Sequence, residues 1–217
     1  DALSAGFKQF SLFLNFNERN DNGILTDEYV CSYGKKTTVS SDLGIKFEIG
    51  PGSFMQVNDG VRRKLYQDAL KAAQITPDTT VIDAYSGAGM LTAIFATKAK
   101  KAVGIEIVKE AVDCANDLKI RNGLENKMEN VNAPCETALP EVLRKVRSEG
   151  GDCVLVLDPP RQGVDEALIE TIKESNPDRI LYISCSPQTL ARDVGLLTGT
   201  LVRDGEKLSK SDGNGVY

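Results

Sequence analysis

Short apolar runs alternate with helix-length segments over the last two-thirds of the chain. Val81-Ile82-Asp83-Ala84, Val103-Gly104-Ile105, Val154-Leu155-Val156-Leu157 and Ile180-Leu181-Tyr182-Ile183 read as strands, with the more polar Glu129-Asn130-Val131-Asn132 as a fifth. The spacing predicts helices from Met90 to about Lys98, from Val108 to Asn122 with Gly123 as its stop, and from Thr137 to Arg147 with Pro140 near its start. A further helical pattern follows Asp158-Pro159-Pro160, and another runs from Pro187 to about Leu197. Near-continuous apolar runs alternating with helices predict parallel strands buried on both faces, an α/β class.

Ahead of this series the pattern changes. Phe10 to Phe16 and Leu43 to Ile49 read as strands, with turn chemistry at Asn20-Asp21-Asn22-Gly23. Residues 1–52 are therefore expected to form a small β-rich appendage, and residues 53–217 the main domain. Asn58 is a candidate cap for a helix from about Gly60 to Ala73, with Val61, Leu65, Ala69 and Ala72 on its apolar face. The tail from Thr198 to Tyr217 predicts no element.

Composition narrows the chemistry. The 217 residues suit one α/β domain with a small appendage. No run approaches the ~20 apolar residues of a membrane span, and no signal-peptide pattern opens the chain. Five cysteines, scattered and without C-x-x-C spacing, point to a reducing cytosol and to no zinc or iron–sulfur site. The chain has no histidine, which removes histidine bases, triads and histidine metal sites. A net charge of −5 argues against a large nucleic-acid surface. The basic cluster Arg62, Arg63, Lys64 and Lys71 is read as a solvated helix face rather than a phosphate contact.

Candidate chemistry gathers at the strand ends. Asp158 ends one run and Cys185 follows the next, so two parallel neighbours would bring a carboxylate and a thiol to one crevice. Ser186 and Pro187 suit the cap and first position of a helix, whose positive end then faces the cysteine, a setting that activates thiols. The plain alternative is a small hydrophobe at a strand end. Tyr85-Ser86-Gly87-Ala88-Gly89 is a Gly-rich turn between strand and helix, and Glu106 ends the next strand, where an acid takes ribose hydroxyls. Thr92 occupies the place of a third glycine, so the turn suits S-adenosylmethionine better than a dinucleotide. Phe54 and Gln56 share one side of an extended stretch and suit a planar base, or equally a packed Phe and a turn Gln.

Taken together, Phe54-Met55-Gln56-Val57-Asn58, Asp83-Ala84-Tyr85-Ser86-Gly87-Ala88-Gly89, Asp158-Pro159-Pro160-Arg161-Gln162-Gly163 and Tyr182-Ile183-Ser184-Cys185-Ser186-Pro187-Gln188-Thr189-Leu190-Ala191-Arg192-Asp193 resemble the SAM-dependent RNA (uracil-5-)-methyltransferases, over about Phe47 to Asp193. The resemblance implies a Rossmann-like parallel sheet flanked by helices, of the seven-stranded type but lacking its last two strands. It implies Cys185 as nucleophile, Gln56, Tyr85, Glu106 and Asp158 at S-adenosylmethionine, and Phe54, Gln56 and Asp158 near the target uracil, with no metal. It implies a monomeric cytoplasmic enzyme acting on RNA, and the Gln56-Val57-Asn58 version leans to ribosomal RNA rather than tRNA. Ser186 replaces the family's usual Asn. The family's Glu base, in a segment following this region, is absent, so a catalytic fragment is expected. Two other readings remain open: an RNA cytosine-5-methyltransferase, which would carry a second cysteine where Asp158-Pro159-Pro160-Arg161 has none, and a non-catalytic SAM-binding module. An amino-group methyltransferase would use Asp-Pro-Pro but leave the Cys185 motif unexplained.

Overall fold

The computed structural model describes residues 10–18, 26, 28–51, 58–204 and 207–211. Along them run β1 (Leu12–Asn15), β2 (Tyr29–Tyr33), β3 (Thr38–Asp42), β4 (Ile45–Ile49), α1 (Asp59–Ala73), β5 (Thr80–Ala84), α2 (Met90–Ala96), β6 (Lys101–Glu106), α3 (Lys109–Arg121), β7 (Met128–Asn132), α4 (Cys135–Glu149), β8 (Cys153–Leu157), α5 (Glu166–Ser175), β9 (Arg179–Tyr182), α6 (Pro187–Leu197), β10 (Leu201–Asp204) and β11 (Lys207–Lys210). Strands β5 to β9 form one parallel sheet in the order β7-β6-β5-β8-β9. The chain builds outward from β5 to β7, then crosses back and builds outward from β8 to β9. That reversal between β5 and β8 opens a crevice at the carboxyl ends of the strands.

Strand side chains alternate between two apolar layers, as a period of two requires. On β8, Val154 and Val156 join the layer with α1, α2 and α3, whereas Cys153, Leu155 and Leu157 join α4, α5 and α6. All five residues of β8, and all five of β5, are buried. Both layers therefore depend on the central strands, and the strand ends are where polar chemistry can emerge.

The N-terminal strands pair as two antiparallel hairpins, β1–β2 and β3–β4. The second is anchored to the parallel-sheet core: Ile45 is buried beside Phe95, and Asn122 at the end of α3 exchanges side-chain hydrogen bonds with the Lys46 backbone, 2.8 Å each way. The turn chemistry expected at Asn20–Gly23 lies outside the described residues. The tail, which predicted no element, contains the β10–β11 hairpin. Leu201 packs into the α4–α6 layer, where Gly195 of α6 leaves no room for a Cβ beside it. Among the described residues the hairpin strands pair with each other and the parallel sheet has five strands. Helix α4 starts at Cys135, two residues ahead of expectation, and holds Pro140 inside it at the loss of one backbone hydrogen bond.

Helix α1 buries Ala69 as expected, but Arg62 and Ala73 are buried where Val61 and Ala72 were expected. Asn58 caps it as foreseen, its Oδ1 accepting from Val61 N at 3.1 Å, but Val61 is exposed and the buried side is Arg62, Ala69 and Ala73. The cause is Asp42 at the end of β3. Its buried carboxylate accepts Arg62 Nε and Nη2 at 3.0 Å on one oxygen and Arg63 Nε at 2.9 Å on the other. Burial pushes that carboxyl up, but the hydrogen bonds and charges of Arg63 and Arg62 prevail and hold it below its ordinary value. Two of the four basic residues read as a solvated face are thus committed to Asp42, and Lys64 pairs with Asp68.

Asp42→Ala is expected to destabilise the protein by about 3 kcal/mol, the lower end for breaking a buried pair, because the buried Arg62 loses its buried partner and keeps only the exposed Asp59 at 2.8 Å. Lys64→Ala, which removes an exposed helix pair, should change stability by less than about 0.5 kcal/mol. Urea denaturation of both variants checks the contrast, and equal effects would remove the special role of Asp42.

Candidate active site

Register brings the candidate residues to one level. Ala84 stands opposite Ile105 on β6 and Leu157 on β8, and Leu157 stands opposite Tyr182 on β9. The next residues, Tyr85, Glu106, Asp158 and Ile183, therefore stand at one level at the end of the sheet, with Glu106 the last residue of β6 and Ile183 N donating to Leu157 O at 2.8 Å. Cys185 comes two residues later. Phe54 and Gln56 lie outside the described residues, ahead of the start of α1.

The turn from Tyr85 to Gly89 commits three of its amides, two of them to β6. Ser86 N donates to Ile105 O, Gly87 N to Glu106 Oε2 and Gly89 N to Ser86 O, each at 2.9–3.0 Å. Glu106 Oε1 also accepts from Val108 N at 2.8 Å. Glu106 thus ties the turn to β6 while its remaining lone pairs stay available to hydroxyls. Thr92, at the third-glycine place, donates its hydroxyl to Asp83 Oδ2 at 2.5 Å. Room for it comes from the neighbouring strand: a Cβ on Gly104 would lie 2.8 Å from Ser86 Oγ and 3.1 Å from Thr92 Oγ1.

Three carboxylates share this edge. Asp83 is buried, and burial pushes its carboxyl up to about 7; Thr92 opposes the rise, while Asp158 and Glu106 add to it. Burial also raises Asp158, although part of that side chain is exposed. Tyr66 of α1 is partly buried against the α1–α3 layer, and burial raises its phenol, with Arg62 opposing and Asp158, Asp42 and Asp83 adding to the rise. The half-buried Tyr85 is raised by burial and by Cys135, Glu136 and Asp165, so its ring belongs with the α4–α5 side.

Cys185 sits on a braced turn. Ser184 Oγ accepts from Ser186 N and donates to Ser186 O, both at 3.0 Å, and Ser186 Oγ caps α6 by accepting from Thr189 N at 3.4 Å. The bracing closes around Cys185 and leaves it exposed. Burial instead pushes the Cys135 and Cys153 thiols up to about 11, which makes them core hydrophobes.

Sequence reasoning passed over Tyr66, Thr92 as a partner of Asp83, and Asp193. Asp193 is fully buried and accepts from Val164 N at 2.8 Å, Tyr182 Oη at 2.6 Å and Arg192 Nε at 2.7 Å. Its place inside the quoted motif was the available signal, since a buried Asp demands partners.

The arrangement fits a cofactor that carries positive charge and no phosphates. The amides of Ser86, Gly87 and Gly89 are already paired and do not face a pyrophosphate, and the acidic edge favours a cation. No helix among the described residues is long and apolar enough to cross a membrane.

Comparison with known proteins agrees with this geometry. Residues 24–204 match the model of the tRNA (Uracil-5-)-methyltransferase family. The chain is 39% identical over 186 residues to an uncharacterised RNA methyltransferase of Streptococcus mutans, covering 86% of this chain and 40% of that one. A Bacillus cereus relative described in the same words is 40% identical over 199 residues, covering 91% and 42%. The chain thus spans about two-fifths of the length of these relatives. Among solved structures, the Pyrococcus abyssi tRNA (uracil-54, C5)-methyltransferase in complex with S-adenosyl-L-homocysteine superposes with a TM-score of 0.66 at 24% identity, over 86% of this chain and 44% of that one. That likeness speaks to the fold, whereas the matched family model and the sequence identities speak to descent: the chain belongs to the tRNA (uracil-5-)-methyltransferase family.

Proposed function

We propose that residues 53–217 are part of the catalytic domain of an S-adenosylmethionine-dependent RNA (uracil-5-)-methyltransferase, with residues 1–52 the remainder of a neighbouring domain. The target is a uridine of ribosomal RNA, on the strength of the Gln56-Val57-Asn58 motif. The free cysteines suit the reducing cytosol, and the enzyme acts there as a monomer in this reading. Cys185 carries this reading: it is an exposed thiol on a turn braced at both sides, one strand from Asp158.

C5 of uracil is a poor nucleophile. The Cys185 thiolate adds to C6, forming the S–C6 bond and moving the C5=C6 electron pair into an enolate with carbanion character at C5. Asp158, its proton affinity raised by burial, suits the O4–N3 edge where that charge develops. Phe54 and Gln56 complete the uracil site, by stacking and by a polar edge. Glu106 takes the ribose hydroxyls of the cofactor, with Tyr85, Gln56 and Asp158 around it. S-adenosylmethionine supplies the methyl group as an electrophile. A base then removes the C5 proton, C5=C6 reforms and the Cys185 thiolate leaves. In this reading the base is the family's Glu, from the segment following this region. The uracil must be unstacked to reach the crevice.

In the full-length protein, Cys185→Ala should lower methylation on the order of 10⁴-fold or more and abolish the covalent adduct with 5-fluorouridine RNA, with cofactor affinity nearly intact. Methylation at wild-type rate would end the assignment. Glu106→Ala should weaken S-adenosylmethionine binding by about 1–3 kcal/mol, the cost of losing charged hydrogen bonds; calorimetry giving an unchanged Kd would take Glu106 out of the site.

Asp83 adds a pH dependence. Its folded value, about 7, lies above its ordinary 3.8, so its stabilising contribution is complete below pH 3.8 and is lost as pH rises through 7. Asp83→Asn should flatten that decline in the ligand-free protein, as measured by thermal unfolding. Bringing a cation to this edge should also expel the Asp83 proton. Calorimetric heats of S-adenosylmethionine binding near pH 7 should then depend on the buffer's ionisation heat in the wild type and not in Asp83→Asn. Identical buffer dependence in the two proteins would refute the coupling.

A further inference from the structure

We propose that Asp193 is a positioning residue that fixes the Asp158 loop against the Cys185 loop, so that the nucleophile and the group facing the uracil edge keep one spacing. The inference rests on the assignment of Cys185 and Asp158 above. Asp158 and Cys185 belong to adjacent strands, but the loops that carry them leave the sheet separately. The last main-chain bond between the two is Ile183 N to Leu157 O, so the ladder does not set their relative position beyond that level.

Asp193, on the second turn of α6, supplies the missing link. One carboxylate oxygen accepts both Val164 N, at the far end of the loop running on from Asp158, and Tyr182 Oη, three residues ahead of Cys185. The other accepts the Arg192 guanidinium through Nε at 2.7 Å and Nη2 at 2.6 Å. Arg192 in turn donates to Gln162 O at 2.9 Å, and Thr189 Oγ1 donates to Arg161 O at 3.3 Å. Every residue from Arg161 to Val164 is therefore held or crowded by α6. Gly163 completes the joint: at φ 84° it follows a path few side chains adopt, and a Cβ there would overlap the Asp193 carboxylate and Arg192.

The chemistry of the joint argues for geometry over bulk stability. A buried ion pair returns little net stability, because desolvation offsets its attraction, whereas its directional bonds fix register. Apolar packing would cover the same loop with less directional control. For a thiolate that must meet C6 while the opposite ring edge is held, a displacement of about 1 Å costs about 10²-fold in rate.

The test uses the full-length protein with Asp193→Asn and the milder Tyr182→Phe, which removes one hydrogen bond and keeps the ring. Asp193→Asn should lower kcat for RNA methylation about 100-fold. It should slow adduct formation with 5-fluorouridine RNA in parallel, with KM for RNA and Kd for S-adenosylmethionine within about twofold. Tyr182→Phe should show the same signature at about tenfold, and the double variant should lose less than the product of the two, since both act through one carboxylate. A lowered melting temperature with unchanged kcat and adduct rate would overturn the proposal, as would cofactor affinity falling in step with kcat. If Asp193→Asn does not fold, Tyr182→Phe decides alone. A wild-type protein that forms no adduct would sink the nucleophile assignment and this proposal with it; a wild-type adduct with unchanged variants sinks the Asp193 proposal alone.

Discussion

Strands β5 and β8 are buried on both faces, and that burial governs where chemistry can appear. Val81, Ile82 and Ala84, like the whole of β8, are given to packing between two helix layers. A polar group on such a strand must find a partner or stand at its end. Asp83 does the first through Thr92, and Glu106 and Asp158 do the second. The crevice follows from the reversal of strand order between β5 and β8, which draws the helices apart above those ends. Remove the double burial and neither the level of the candidate residues nor the opening between them is defined.

Charge at the crevice is sorted as strictly as hydrophobicity. Cations near the start of α1 are drawn away from the edge: Arg62 and Arg63 close on Asp42. The charges of Asp158 and Glu106 add to the upward displacement that burial gives Asp83. Close like charges in a partly dry site make a strong local field, and that field favours a cation.

Much of this was legible in the chain. The runs Val154–Leu157 and Ile180–Ile183, the cap at Asn58 and the Ser186-Pro187 helix start each rest on local rules, and each appears where those rules put it. Departures came where a distant residue outvoted a local one. The face of α1 turned because Asp42, twenty residues earlier, claims Arg62. The β10–β11 hairpin formed because Leu201 found a glycine-sized gap on α6. Thr92 looked like a defect in a glycine fingerprint, and the compensation was Gly104 on the next strand, which spacing within the turn does not reveal. Asp193 was visible as a motif letter, but its partners are twenty-nine and eleven residues away.

Under the proposed function, the acidic edge would bear on release of the spent cofactor. Transfer of a methyl group from a sulfonium leaves a neutral thioether, so the spent cofactor carries one positive charge fewer than the fresh one. A field built from Asp83, Glu106 and Asp158 would grip the two forms unequally and let go of the used one more readily. The same carboxylates that gather the reagent would then help to empty the site.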